Sequence, residues 1–399
     1  MQLSFLKRSS PYQLAVLIAG SSMGLGLVRE LLVLGLLGFT KQNDTLQIYF
    51  SIFYTISLTI DALRLSCLNL AGTLSLRRLL LSASLATLPF AASIGLMMSY
   101  AAGGLDPSLL GITILGAYLN LLVALLVTYK QKAEAFLAAQ LINVLPNFIL
   151  IPGVVMIYYF SPRDLIAALV TLTAFIPAVQ VLLLLALPKT LSLDSEKTPP
   201  SLVSSVFIFF YHFSSSLGEQ LFQIITRSTF YKFGTGYLSL FSMVVRVYAA
   251  LRFVLIDSYI GSRLASWKKE LAEGQHPLLK LINSAPFALA AALFALTICL
   301  KTYNNLSYSA VQIIALLIVG FYFSTLVRII YFKLNHLDKN IFLVLRFASY
   351  ELGFAGLAFL LTQEFSQPIL ALLWVGYIAK PFLQLVFLRK SYEQLGVVE

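Results

Sequence analysis

Between Leu110 and Val127 the chain reads LGITILGAYLNLLVALLV, with no charged residue and with apolar side chains on both parities. A transmembrane barrel strand would instead alternate in polarity over about ten residues. A helix rising 1.5 Å per residue needs roughly 20 such residues to cross a hydrocarbon core about 30 Å thick, and this run approaches that length. Comparable runs recur along the chain, and hydropathy places spans at 13–37, 46–70, 78–100, 108–129, 134–159 and 163–187, then at 202–228, 235–259, 281–300, 307–332, 340–361 and 367–388. The composition agrees: 59% of the 399 residues are hydrophobic and 11% charged, with a mean hydropathy of +0.86. Soluble domains average about 45–50% apolar and about 25% charged. The fold class expected is an all-α polytopic membrane protein of about twelve transmembrane helices.

The net charge of +11 is explained by where the basic residues sit. With the N-terminus inside, cytoplasmic segments hold sixteen of the 28 Lys and Arg, among them Lys7, Arg8, Arg77, Arg78, Lys130, Lys132, Lys268 and Lys269. The outer loops hold Lys41, Arg163, Lys232 and Lys301. This alternation is the positive-inside pattern and predicts both termini in the cytoplasm. Lys7 and Arg8 precede a run of full spanning length, so no cleaved signal is expected. The one long polar connection in mid-chain, PKTLSLDSEKTPPS at 188–201, divides the sequence into an N-terminal six-helix lobe (1–188), a cytoplasmic linker (189–201) and a C-terminal six-helix lobe (202–399). The lobes read as faint parallel repeats, each opening on a small-residue and acidic patch: Gly24, Gly26 and Glu30 in one, Ser214, Gly218 and Glu219 in the other.

No connection exceeds roughly 20 residues, too short for an extramembrane catalytic, nucleotide-binding or nucleic-acid-binding domain. The three histidines show no metal-ligand spacing, and MGLG before Arg29 lacks the strand–turn–helix context of a dinucleotide fingerprint. Neither a metal nor a cofactor is expected. Cys67 and Cys299 lie far apart in apolar runs and read as buried thiols. Pro89, Pro146, Pro152, Pro177 and Pro381 lie within spans, where each frees a carbonyl, as a flexible joint or a static kink.

The charges inside the spans carry the functional reading. Basic residues there are Arg29, Arg64, Arg227, Arg246, Arg252, Arg328, Arg346 and Lys380; acidic ones are Glu30, Asp61, Glu219, Asp257 and Glu351. An ionised group at mid-bilayer costs about 2.5–3.5 kcal/mol on insertion scales, so each needs a partner or a wet cavity. Arg227, Arg328 and Arg346 stand near span ends, where long side chains snorkel to water. Asp61 and Arg64, three residues apart, share a helical face. Arg29, Arg246 and Arg252 lie deeper, and Glu30 points about 100° round the helix from Arg29. Arginines in a low-dielectric cavity suit a phosphate or diphosphate, which the planar guanidinium binds bidentately.

The stretch GLGLVRELLVLGLLGFTKQND, Gly24 to Asp44, resembles the opening span and first outer loop of the lipid II flippase family (MurJ, also called MviN). By that resemblance Arg29 falls on the family's cavity arginine and Asp44 on its acidic residue at the outer end of span two. A second patch, SLFSMVVRVYAALRFVLIDSYIGSRLASWKKEL, starting at Ser239, resembles the span after the family's mid-chain break. Arg246 falls on that span's arginine, with Val245 in place of its acidic neighbour. The family's Pro-Asn-Leu-Leu-Arg-Arg has no counterpart around 53–58, which leaves Arg64 as a displaced candidate. The family has fourteen spans; twelve look more like the Wzx-type flippases of O-antigen, capsule or exopolysaccharide units, in the same MOP exporter superfamily. The resemblance implies two six-helix lobes around a central cavity that rock between inward-open and outward-open states.

The function expected is a flippase, not an enzyme, carrying a polyprenyl-diphosphate-linked saccharide across the bacterial cytoplasmic membrane. Its glycan would be of the O-antigen, capsule, exopolysaccharide or peptidoglycan-precursor type. Arg29 and Arg246 would hold the diphosphate, with Arg64 and Arg252 in support. Asp44, Glu30, Asp61, Glu219 and Asp257 are the candidates for gating or for coupling to H+ or Na+, pairing with nearby arginines being the other role open to these acids. Membrane potential favours outward movement of a negative group by about 2.3 kcal/mol per charge per 100 mV. Partners expected are the lipid-linked glycan, membrane lipids and a polysaccharide polymerase or glycosyltransferase. The alternatives are a multidrug or small-solute antiporter and a membrane-embedded sugar polymerase or ligase. A major-facilitator reading is weakened because AGTLSLRR, at 71–78, lacks the Gly- and Asp-Arg-rich loop of that class.

Overall fold

A computed structural model describes residues 11–57, 60, 76–132, 136–160, 164–186, 202–252, 308–337, 341–364 and 368–394. The described residues are almost wholly helical. The helices are α1 (Pro11–Leu37), α2 (Lys41–Ser57), α3 (Leu76–Ala102), α4 (Pro107–Lys132), α5 (Phe136–Phe160), α6 (Leu165–Ala186), α7 (Leu202–Phe233), α8 (Tyr237–Arg252), α9 (Tyr308–Leu337), α10 (Ile341–Glu364) and α11 (Pro368–Leu373); α11 runs through a π-helical turn (Trp374–Ala379) into α12 (Lys380–Gln394). Every expected span except that at 281–300 has a helix here. That span, the linker at 189–201, Asp61, Arg64, Asp257, Cys67 and Cys299 lie outside the described residues.

Helix ends follow local chemistry. Gly38, at φ 62°, ends α1 in the left-handed conformation that lacks a Cβ penalty only for glycine, and its N–H bonds Leu34 O at 2.7 Å. Thr40 then caps α2, its Oγ1 accepting from Asn43 N–H at 3.2 Å. At the start of α4, Asp106 stands before Pro107 and accepts the backbone N–H groups of Ser108 and Leu109 at 2.9 and 3.0 Å. Proline at the first helical position loses nothing, because its missing donor is one the helix cannot use there.

Contacts divide the chain into two compact units, Met1–Ser239 and Leu240–Glu399. In the first, α4 packs on α6, α1 on α5, and α7 lies against α2 and α3. The helix of the seventh span thus sits with the first six; a six-plus-six division at 189–201 remains our proposal. Small residues allow the close approaches usual between membrane helices: a Cβ on Gly116 of α4 would stand 2.6 Å from Ala174 Cα of α6. In the second unit α9 packs on α12 and the π turn, with α10 against α11. A Cβ on Gly320 would meet the Tyr377 carbonyl, so α9 lies directly on the π turn. Phe321 stacks on Tyr248 at 3.9 Å, and Tyr377 meets Phe241 and Phe321 edge-on.

Among the described residues, five stretches are long and apolar enough to cross a membrane: Gly20–Leu37, Pro107–Tyr129, Leu165–Ala186, Ala310–Val327 and Pro368–Leu388. Large apolar side chains such as Leu96, Phe148, Phe175, Leu182 and Leu360 point outward, an arrangement suited to lipid rather than water. The fold is that of an all-α, multi-pass membrane protein.

Candidate functional site

On α2, Asn43, Gln47, Ser51 and Thr55 recur every four residues and are all buried. Residues at i and i+4 share a helical face, so α2 carries a polar stripe into the interior of the first unit. On α7, which packs against α2, Gln220, Gln223, Thr226 and Arg227 are buried as well. The two stripes meet in a polar seam.

One continuous set of hydrogen bonds runs through it. Arg29 Nε and Nη2 donate to Glu30 Oε1 at 3.1 and 2.8 Å. Their Cα–Cβ bonds diverge round the helix, yet both side chains are long enough to converge. Gln47 Nε2 donates to Glu30 Oε2 at 3.4 Å. Ser51 Oγ donates to the Gln47 carbonyl at 2.6 Å and accepts from Arg227 Nη1 at 2.9 Å. Arg227 Nε donates to Gln223 Oε1 at 3.2 Å, and its guanidinium lies 4.5 Å from the centre of the Tyr54 ring. The Arg29 side chain is 23% exposed while that of Glu30 is 4% exposed; the acid is sealed in and the base keeps access to its surroundings.

Toward Gly38 the seam ends in a clasp. Asp44 accepts from Gly236 N–H at 2.5 Å and from Ser239 N–H and Oγ at 2.8 and 2.7 Å. The carboxylate therefore caps the start of α8 from a different helix, satisfying donors that a helix N-terminus leaves open. Gly236 has φ 86°, and a Cβ there would stand 2.8 Å from the Phe39 carbonyl oxygen; both facts require glycine. Beside the clasp, Lys41 Nζ donates to Tyr231 O at 3.2 Å and sits 3.7 Å over the Tyr231 ring.

The structure thus brings together three expected residues, Arg29, Glu30 and Asp44, along one seam of the first unit. Glu219 lies half-buried on α7 in the same unit. Arg246 and Arg252 lie on α8 within the second unit, both half-buried, with Arg252 5.4 Å from the centre of the Tyr248 ring. Arg227 is the residue that sequence reasoning undervalued. Near a span end it reads as a snorkelling arginine, but it is 1% exposed and turned inward onto α2. The signal was present in the polar residues of α7 at 220, 223 and 227 and the four-residue polar period of α2, which together mark two faces suited to each other.

The second unit holds a separate buried constellation. Glu351 on α10 forms an ion pair with Lys380 and accepts from Gln384 Nε2 at 2.7 Å. Lys380 follows directly on the π turn, which shifts the helical register by one residue just before it.

No family model and no curated protein matches the sequence. Solved structures do. A lipid II flippase MurJ in the inward closed conformation is similar at TM-score 0.69 and 15% identity, covering 95% of this chain and 87% of that one. An inward-facing multidrug resistance MATE family transporter of the MOP superfamily is similar at TM-score 0.54 and 13% identity, covering 98% and 96%. The bent form of the Vibrio cholerae MATE transporter VcmN is similar at TM-score 0.50 and 13% identity, covering 96% and 95%. The chain has the fold these transporters share.

Proposed function

We propose that the protein is a flippase that moves a polyprenyl-diphosphate-linked saccharide across the bacterial cytoplasmic membrane by alternating access, with both termini in the cytoplasm. The observation that carries the reading is the state of Arg29. Its Nε and Nη2 are aligned by a buried carboxylate, the Nη1 edge takes no part in that pair, and the side chain remains partly exposed. A guanidinium fixed on one edge and open on the other is pre-organised for a phosphate oxygen. Arg246 is retained as the second candidate for the diphosphate, with Arg64 and Arg252 as supporting candidates. The likeness to a lipid II flippase fold supports the same class of cargo.

In this account Asp44, by holding Gly236 and Ser239, is a gate residue, and Glu30 orients Arg29. Glu219, Asp61 and Asp257 are retained as candidates for H+ or Na+ coupling, and membrane potential drives the anionic cargo outward. A polysaccharide polymerase or glycosyltransferase would use the product. The second reading, a multidrug or small-solute antiporter, is favoured by the MATE folds, which match over nearly the whole chain. Native mass spectrometry of the protein from its own membrane, with and without Arg29→Ala plus Arg246→Ala, separates the two. The flippase reading expects a co-purifying polyprenyl-diphosphate glycan that the double variant loses; an equally retained lipid, or none, contradicts it.

A further inference from the structure

On α10, Ser349, Tyr350, Gly353, Phe354 and Leu357 line one side of an open groove of about 580 Å³, and Phe387 of α12 lines the other. Positions 349, 353 and 357 repeat every four residues, and 350 and 354 do the same beside them, so the groove follows one face of the helix. The Tyr350 and Phe387 rings stand 5.5 Å apart across it. At Gly353 the groove reaches the backbone, because a Cβ there would have nothing within 4 Å. Behind it, Glu351 binds Lys380 and Gln384. The same two helices are therefore joined on their buried side and parted on their outer one. Leu352, Leu357 and Leu360 are exposed along this face, as on a surface that meets lipid.

Length and charge select the occupant. From Ser349 to Leu357 the helix rises about 12 Å, close to one leaflet, which is half of a hydrocarbon core about 30 Å thick. Arg346 stands about 6 Å before Tyr350 along α10, and Arg389 and Lys390 stand about 3 and 4.5 Å beyond Phe387 along α12. Successive spans run in opposite directions, so all three basic residues fall at one depth, at the same end of the groove. In the orientation proposed above that end is cytoplasmic, the level of the phosphates of the inner leaflet. The polyprenyl chain of the cargo is much longer than one leaflet. A second copy of the chain is disfavoured too: two identical faces meeting about an axis along the membrane normal set Arg346, Arg389 and Lys390 against themselves.

We propose that the groove between α10 and α12 binds one anionic phospholipid of the inner leaflet, with an acyl chain along Gly353 and the phosphate at the depth of Arg346, Arg389 and Lys390. The proposal rests on the membrane orientation and not on the identity of the cargo. The lipid bridges, from outside, the two helices that Glu351 joins from within.

The test is native mass spectrometry of the full chain, titrated with phosphatidylglycerol or with neutral phosphatidylcholine of the same acyl chains. The wild type is expected to hold one phosphatidylglycerol at least tenfold more tightly. Arg346→Gln plus Arg389→Gln plus Lys390→Gln should erase that preference, at roughly fivefold per charge removed, and leave phosphatidylcholine binding as it was. Gly353→Leu fills the groove and should lose the bound lipid of either kind. Its melting temperature in lipid-free detergent should equal or exceed that of the wild type, because leucine is the better helix former and the space is open. Lipid held by Gly353→Leu as by the wild type, or a preference that survives the triple variant, overturns the proposal. So does a wild-type dimer that Gly353→Leu converts to monomer without any change in bound lipid, which assigns the face to a second copy. Undecaprenyl diphosphate that displaces phosphatidylglycerol one for one, and that Gly353→Leu no longer binds, assigns the groove to the cargo instead.

Discussion

Gln180 on α6 donates its side-chain amide to the backbone carbonyl of Ile142 on α5 at 2.8 Å. Ile142 lies four residues before Pro146, so its carbonyl is the acceptor that the proline, having no N–H, leaves without a helical donor. The neighbouring helix supplies the missing bond, which is how a kinked membrane helix keeps its backbone satisfied in lipid. Gln180→Leu should destabilise the protein by about 1–3 kcal/mol, the cost of an unsatisfied buried acceptor. In a Pro146→Ala background the restored N–H serves Ile142, and the same change should cost clearly less. Thermal unfolding of the four proteins in detergent gives the double-mutant cycle; equal costs in both backgrounds would refute the compensation.

Asp44→Ala strands the N–H groups of Gly236 and Ser239. Each buried donor left alone costs about 1–3 kcal/mol. Ser239→Ala removes one hydroxyl bond and leaves both backbone donors paired, so its melting temperature should fall by much less. A ranking with Ser239→Ala as the worse variant would show that the clasp does not depend on the carboxylate.

The Glu351–Lys380 pair is buried on both sides. Lys380→Met leaves an uncompensated buried carboxylate and should cost about 3–5 kcal/mol. Adding Glu351→Leu should recover most of that loss, because two apolar residues avoid the desolvation that the ion pair bears. Denaturation midpoints of the single and double variants decide this; no recovery in the double variant would mean that the pair itself, and not the orphaned charge, sets the stability.

Asp106 titrates outside the spans. Hydrogen bonds from the Ser108 hydroxyl, and then from the Leu109 N–H, hold its carboxyl below the usual carboxylate range, against a small opposing effect of desolvation. A depressed folded-state pKa stabilises the protein above the unfolded value of about 3.9, and that contribution disappears as pH falls through the lower, folded value. Stability of the wild type should therefore drop more steeply than that of Asp106→Asn as pH is lowered from 5 toward 3. Parallel curves would rule out this linkage.

Much of the fold could be read from hydropathy, because lipid permits only segments that satisfy their own backbone, and apolar runs such as 108–129 have one solution. The π turn at Trp374–Ala379 was not legible: WVGYIA is as apolar as its surroundings, and the turn packs closely against Gly320 of a helix far away in sequence. Arg29, Glu30 and Asp44 stood out as charges within or beside apolar runs. Arg227 did not, because distance from a span end says nothing about which way a long side chain turns. That direction is set by Ser51, 176 positions away. The pairing of Arg29 with Glu30 was obscured for a related reason: helical angles describe Cβ directions, and the ends of two long side chains do not keep to them.

The central claim is that an anionic polyprenyl diphosphate is the cargo and that arginines carry it. Its most direct test is a flipping assay in proteoliposomes, with a fluorescent polyprenyl-diphosphate disaccharide and a potassium diffusion potential set in either direction. The account predicts translocation that speeds up toward the positive side, driven by about 2.3 kcal/mol per net charge per 100 mV, and that is lost in a folded Arg29→Ala plus Arg246→Ala variant. Movement of cationic drugs with no movement of the diphosphate lipid would contradict it.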